Sequence, residues 1–268
     1  LVEVAGLAAQ GVVEVNLLGQ NVNAYRAPLS SSLGSTGQIA DFATLLEYVA
    51  EIPGIERIRY TTSHPNEFTQ SLIDAYDKIP QLANHLHLPV QHGSDKILMA
   101  MKRGYTALEY KSTIRKLRAI RPNLSVSSDF IVGFPGETDE DFLATVNFLK
   151  DLDISYLHVF TYSERANTGA PKLGTKVPMD TRRERSKILH LLSDRKKQAF
   201  YQTQVGKHKT VLFEQEENEG LLYGFTENYV KVKTLYDARL INQIVAVQLT
   251  EIDRDGLMKC DILTNFAS

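Results

Sequence analysis

The sequence predicts an α/β region followed by a small all-β barrel, and two observations carry the prediction. Over the first 165 residues, short β-branched or apolar runs alternate with longer helical ones, the sequence form of repeated βα units. Beyond Lys209 the pattern changes to short strands separated by turns, which reads as a closed barrel of about 60 residues. A basic helical stretch joins the two, so the division is placed at 1–205 and 206–268.

In order, strands are expected at 13–18, 57–61, 85–88, 125–132 and 156–161, with helices at 39–50, 69–78, 94–101, 107–120 and 140–149 between them. Thr138 reads as an N-cap, because acids in the following turn suit the positive end of a helix dipole. Strict alternation of five strands implies a parallel sheet, either open or part of a barrel. The basic helix is expected over 180–202, where Ile188, Leu189, Leu191, Leu192 and Phe200 keep helical spacing against a core. Later strands are expected at 210–213, 221–226, 229–233, 244–252 and 257–262.

With 268 residues, 43% apolar and 23% charged, the composition is that of an ordinary soluble globular protein with room for a buried core. No apolar run approaches the roughly 18 residues of a membrane span, and Leu1 opens into a helical pattern without signal-peptide organisation. A single cysteine, Cys260, excludes an intramolecular disulfide and makes the cytoplasm the expected location; it reads as a small buried residue. The lack of an initiator methionine suggests that the chain begins in mid-protein. Net charge is only -2, yet between Lys172 and Lys209 there are eleven Lys or Arg against three Asp or Glu. Such a block either tracks a phosphate backbone or forms a solvated helix face.

In parallel βα folds, ligands sit at the carboxyl ends of the strands. Here those positions read Gly19-Gln-Asn-Val-Asn-Ala-Tyr25, Thr61-Thr-Ser-His-Pro65, Pro89-Val-Gln-His-Gly-Ser-Asp95 and Gly133-Phe-Pro-Gly-Glu-Thr138. Each alone is ordinary turn chemistry, and four on one rim point to a ligand site. His85 and His87 share a strand face. No carboxylate or thiolate falls at ligand spacing around them or His92, so packing or rim hydrogen bonds are expected and no metal site.

These motifs resemble the radical-SAM methylthiotransferases that modify transfer RNA. The segments from Leu17 to Tyr25, Thr61 to Pro65, His87 to Asp95, Met101-Lys-Arg103 and Gly133 to Thr138 match the MiaB type, which acts on isopentenyl-adenosine beside the anticodon. Leu157 to Arg165, Val211 to Glu214 and Gly224 to Val230 look like the sister MtaB type, which acts on threonylcarbamoyl-adenosine. The resemblance implies a partial (β/α) radical-SAM barrel joined to a TRAM-like β-barrel, with S-adenosylmethionine as cosubstrate and two [4Fe-4S] clusters. A cluster of this kind needs three cysteine thiolates, so this chain would carry the cosubstrate cradle while the clusters ride on segments N-terminal to it.

By the same resemblance, Gln91 and Asp129 would meet ribose hydroxyls and Arg103 the methionine carboxylate. Asn21 and Asn23 would face the cosubstrate, and Gly133 and Gly136 would border its adenine. Glu137 and His64 are read as structural. Tyr162, Ser163, Arg165 and Thr168 match a family pattern in which Asn167 replaces the usual glycine. For RNA, Arg182, Arg183 and Arg185 on the basic helix, and Lys231 and Lys233 with Phe225 and Tyr229 on the small barrel, would contact phosphates and stack on bases. The expected partner is a transfer-RNA anticodon stem-loop, met by a monomer without membrane contact. A non-catalytic transfer-RNA-binding protein and a ribosomal-protein methylthiotransferase are the alternatives.

Overall fold

The computed structural model describes residues 1–31, 34–61, 63–164 and 175–263, so Thr62, Arg165, Asn167 and Thr168 lie outside the described residues. After helix α1 (Val2–Ala8), strand β1 (Glu14–Leu17) pairs in parallel with β4 (Arg57–Tyr60). Strands β5 (His85–His87), β6 (Ser125–Val132) and β7 (Tyr156–Thr161) form a second parallel set, and a bridge between Ile58 and Leu82 links the two. The connecting helices are α2 (Phe42–Ala50), α3 (Gln70–Lys78), α4 (Asp95–Ala100), α5 (Ala107–Ile120) and α6 (Asp139–Asp151).

Alternation along the strands separates two faces. Ile58, Tyr60, Leu86, Val126, Phe130, Val132 and Leu157 face the helices, in one cluster with Leu46, Leu72, Tyr76, Tyr110, Leu117 and Phe148. The opposite face is polar: Arg57, Arg59, His85, His87, Ser125, Ser127, Asp129 and His158. A fully parallel array normally buries both faces, so a polar inner face marks the concave side on which chemistry is placed.

One element differs from the sequence reading. The segment expected to begin a helix at position 39 is instead strand β3 (Gly34–Asp41), antiparallel to β2 (Arg26–Ser31). The helix starts at Phe42 because Asp41 caps it, accepting from Thr44 N at 2.9 Å.

Helix α7 (Met179–Gln202) packs Leu189 and Ser193 on β7, with Ser193 Oγ accepting from Leu157 N at 2.9 Å. It leads into β8 (His208–Asn218), β9 (Leu221–Thr226), β10 (Lys231–Leu235), β11 (Ile244–Ile252) and β12 (Met258–Ile262), which close as β10-β12-β11-β8-β9 around Val211, Phe213, Val232, Val247, Leu249 and Met258. Gly224 is obligatory there, since a Cβ would run into the carbonyl of Leu212 on the facing strand.

The small barrel closes the amino end of the parallel strands. Glu14 bridges Arg57 at 3.2 Å and Arg59 at 2.9 Å. Arg57 also donates to Thr210 Oγ1 at 3.0 Å and Arg59 to Thr226 O at 2.8 Å. The Tyr229 ring is stacked between Phe225 at 4.6 Å and His85 at 4.5 Å.

Candidate functional site

Towards the carboxyl end of the strands, Gln91 and Arg103 from two loops and Asp129 from β6 are linked through the backbone and through Tyr105, and no side-chain hydrogen bond joins the three among the described residues. Gln91 follows β5 with φ of 78°, a left-handed conformation that costs a non-glycine residue energy. Its backbone is fixed in the sheet, its N–H donating to Asp129 O and its carbonyl accepting from Ile131 N, both at 2.9 Å. The side-chain amide has no partner among the described residues.

Arg103 lies just beyond α4, at the end of a turn in which Lys102 and Gly104 both have positive φ. Its Nε donates to Tyr105 Oη at 2.9 Å, and that hydroxyl donates in turn to Val90 O at 2.9 Å. Tyr105 thus couples Arg103 to the peptide next to Gln91. Arg103 is half-buried, and no acid among the described residues lies within ion-pair distance of it, which leaves its guanidinium open to a carboxylate. His64 packs edge-on to Tyr105, and its pKa is lowered by burial and by the nearby Arg103 charge.

Asp129 projects from β6 onto the inner face. One carboxylate oxygen is 3.3 Å from His87 Nε2, while Ser127 Oγ lies 2.9 Å from His87 Nδ1. Across the sheet, His158 is register partner to Asp129, and its pKa is lowered by burial and by His87. His87, Asp129 and His158 bring one metal-ligand atom each within 4.8 Å of one another. The sequence reading missed this trio, because residues 42 and 29 positions apart along the chain have no ligand spacing to recognise. A register match between β6 and β7 is the signal that would have found it.

Other expected contacts are spent elsewhere. Asn23 is 1% exposed, and its amide exchanges two hydrogen bonds of 2.8 Å with the backbone of His64, so it ties two rim loops together and cannot face a ligand. Asn21 stays exposed on the same loop. Gly133 has φ of 77°, and a Cβ there would strike Arg182, so helix α7 fills the space allotted to a ligand. Gly136 has φ of 83° and binds Thr175 O through its N–H. Glu137 is a buried structural acid, accepting from Gly133 N and from Phe134 N, with Arg185 at 3.2 Å.

The basic face is reduced in the same way. Arg182 is 2% exposed and donates to Val177 O and Tyr162 O; Arg185 is 5% exposed and paired with Glu137 and Asp139. Only Arg183 of the three reaches solvent. Lys233 is held by Asp253 at 2.7 Å and Asp255 at 2.6 Å, and both faces of Tyr229 are covered, so neither is available to RNA as expected. Lys231 lies over Tyr223 and Phe225.

The fit of cofactors divides cleanly. Gln91, Arg103 and Asp129 offer an amide, a guanidinium and a carboxylate oxygen to a ligand carrying a carboxylate and hydroxyls. No cluster finds ligands here: Cys260 is buried in the small barrel, its thiol pushed up to about 12 by burial.

Residues 1–149 match the Radical SAM superfamily model. A tRNA-2-methylthio-N(6)-dimethylallyladenosine synthase of Paraburkholderia phymatum is 55% identical over 93% of the chain and 55% of its own length. A protein of the same name from Albidiferax ferrireducens is 52% identical over 98% of the chain and 59% of its own length, so the match includes the later segment. The chain spans about half the length of the curated relatives it matches. Among solved structures, the archaeal Methanocaldococcus infernus Elp3 aligns over 92% of this chain and 73% of its own, with 12% identity and a TM-score of 0.45. The chain belongs to the radical SAM superfamily.

Proposed function

We propose that the complete protein is a transfer-RNA methylthiotransferase that uses S-adenosylmethionine and iron-sulfur clusters to add a 2-methylthio group to dimethylallyl-adenosine beside the anticodon. The observation that carries the reading is the convergence of Gln91, Arg103 and Asp129 at one rim, in a chain whose 55% identical relatives bear that name. The identity runs through the late segment as well, which favours the dimethylallyl over the threonylcarbamoyl substrate.

In this reading Arg103 takes the methionine carboxylate, and Gln91 with the open oxygen of Asp129 takes the ribose hydroxyls. Asn21 stays exposed beside them. Bound S-adenosylmethionine supplies the radical chemistry; the residues of this chain bind and orient it on the concave face. The clusters are supplied by parts of the protein outside these 268 residues. The closed five-stranded barrel acts as a TRAM-like module that holds the anticodon stem-loop through Lys231, Phe225, Arg183 and the exposed Lys and Arg of α7. A transfer-RNA substrate places the enzyme in the cytoplasm.

The test is mass spectrometry of transfer-RNA nucleosides from cells lacking the gene and complemented with the full-length one. Restoration of 2-methylthio-dimethylallyl-adenosine is expected, and its loss with Arg103→Ala. Methylthiolated ribosomal protein in place of the nucleoside would overturn the assignment.

A further inference from the structure

The inner face of β7 carries two side chains that the cosubstrate site leaves unused. His158 and Phe160 alternate onto the concave side, while Leu157 and Val159 turn to the core. Phe160 is 52% exposed, and no ring among the described residues stacks on it. His158 has no hydrogen bond among the described residues; its ring stands steeply inclined to those of His87 and Tyr156, 5.4 Å from each between ring centres, with Asp129 on the same face. Below it, the inner face is closed by His85, stacked on Tyr229 of the small barrel.

We propose that Phe160 and His158 form the seat of the target nucleobase, Phe160 stacking on its face and His158 hydrogen-bonding its edge. The inference rests on the transfer-RNA reading above and names the part of the site that takes the base. Two observations support it. Two residues of strand separate the pair by about 7 Å, the scale of a purine. An exposed ring beside an imidazole with both nitrogens free is the set by which proteins hold an unstacked base.

Position supports it further. His158 is the register partner of Asp129, and Phe160 that of Ile131. The seat therefore lies one strand from the residue assigned to the ribose of the cosubstrate. Hydrogen abstraction from a base carbon requires that adjacency.

The experiment measures affinity of the full-length protein, by fluorescence anisotropy, for two anticodon stem-loop RNAs, one intact and one abasic at the target adenosine. Wild type is expected to bind the abasic RNA about five- to hundredfold more weakly, the scale of one base–aromatic stack. Phe160→Ala should bring that ratio close to one, Phe160→Tyr should restore it, and His158→Ala should reduce it. A variant that simply misfolds loses both RNAs alike and leaves the ratio of the remaining active fraction unchanged, so the ratio reads the base contact alone. Tight wild-type binding of both RNAs with equal affinity, or a Phe160→Ala ratio equal to wild type, overturns the seat while the transfer-RNA reading stands. Failure of wild type to bind either RNA removes that reading and the seat with it. A stoichiometric divalent metal that His158→Ala releases would also overturn it, since the imidazole would then be a ligand in the trio with His87 and Asp129.

Discussion

The two ends of the parallel strands use the same residue types to opposite purposes. At the amino end, Arg57 and Arg59 are buried, share Glu14, and direct their remaining donors at Thr210 and Thr226 of the small barrel. At the carboxyl end, Arg103 has a tyrosine hydroxyl and no acid among the described residues, Gln91 is held in a strained backbone, and Asp129 has one oxygen without a partner among them. The lesson is that a polar residue in a βα fold declares its role by what remains unpaired. The saturated end is a joint between two bodies; the unsaturated end is where a ligand completes the hydrogen bonding.

Breaking the saturated end should give the largest effect. Glu14→Ala leaves two buried guanidinium groups without the carboxylate they share, and a loss of about 3–5 kcal/mol in urea unfolding is expected. A loss below about 1 kcal/mol would mean that the barrel carbonyls alone satisfy both arginines. At the open end, Arg103→Ala should leave unfolding nearly unchanged and weaken S-adenosylmethionine binding to the full-length protein by about 1.5–3 kcal/mol by calorimetry. Equal losses in stability and affinity would erase the contrast between the ends.

The smallest effect sharpens the comparison within the rim. Asp141 bonds Ser94, on the loop that carries Gln91, yet is saturated: burial alone would raise its pKa, but hydrogen bonds from Lys96, Thr138 and Ser94 hold it well below the usual carboxylate range. A depressed folded-state pKa contributes stability above the unfolded value, and that contribution is lost as pH falls below about 4. Unfolding between pH 5 and 2 should therefore show a falling stability, of the order of 2 kcal/mol, that Asp141→Asn flattens. An identical slope in the variant would assign the acid lability elsewhere.

How far the sequence reveals this arrangement follows from how local each cause is. The βα alternation, the Thr138 cap and the polar rim loops are written in neighbouring residues, so they can be read directly. The hairpin β2–β3 could not, because a Ser- and Gly-rich stretch around position 34 has the composition of a loop, and its pairing is set by register. The fate of the arginines was equally hidden. Arg182, Arg183 and Arg185 look alike in a basic helix, yet the partners that bury two of them, Tyr162, Val177, Glu137 and Asp139, lie on other segments. Tyr229 reads as a base-stacking ring until His85, 144 positions earlier, is found against its face.

Cys260 gives the small barrel a built-in gauge. Its sulfur is buried on β12, facing the Lys233 carbonyl at 3.9 Å, and burial suppresses the thiolate that alkylating reagents attack. Because it is the single cysteine of the 268 residues, alkylation of this chain counts one kind of event, the opening of the small barrel around β12. The labelling rate then reports how often the domain breathes, without a dye, a tag or an engineered site.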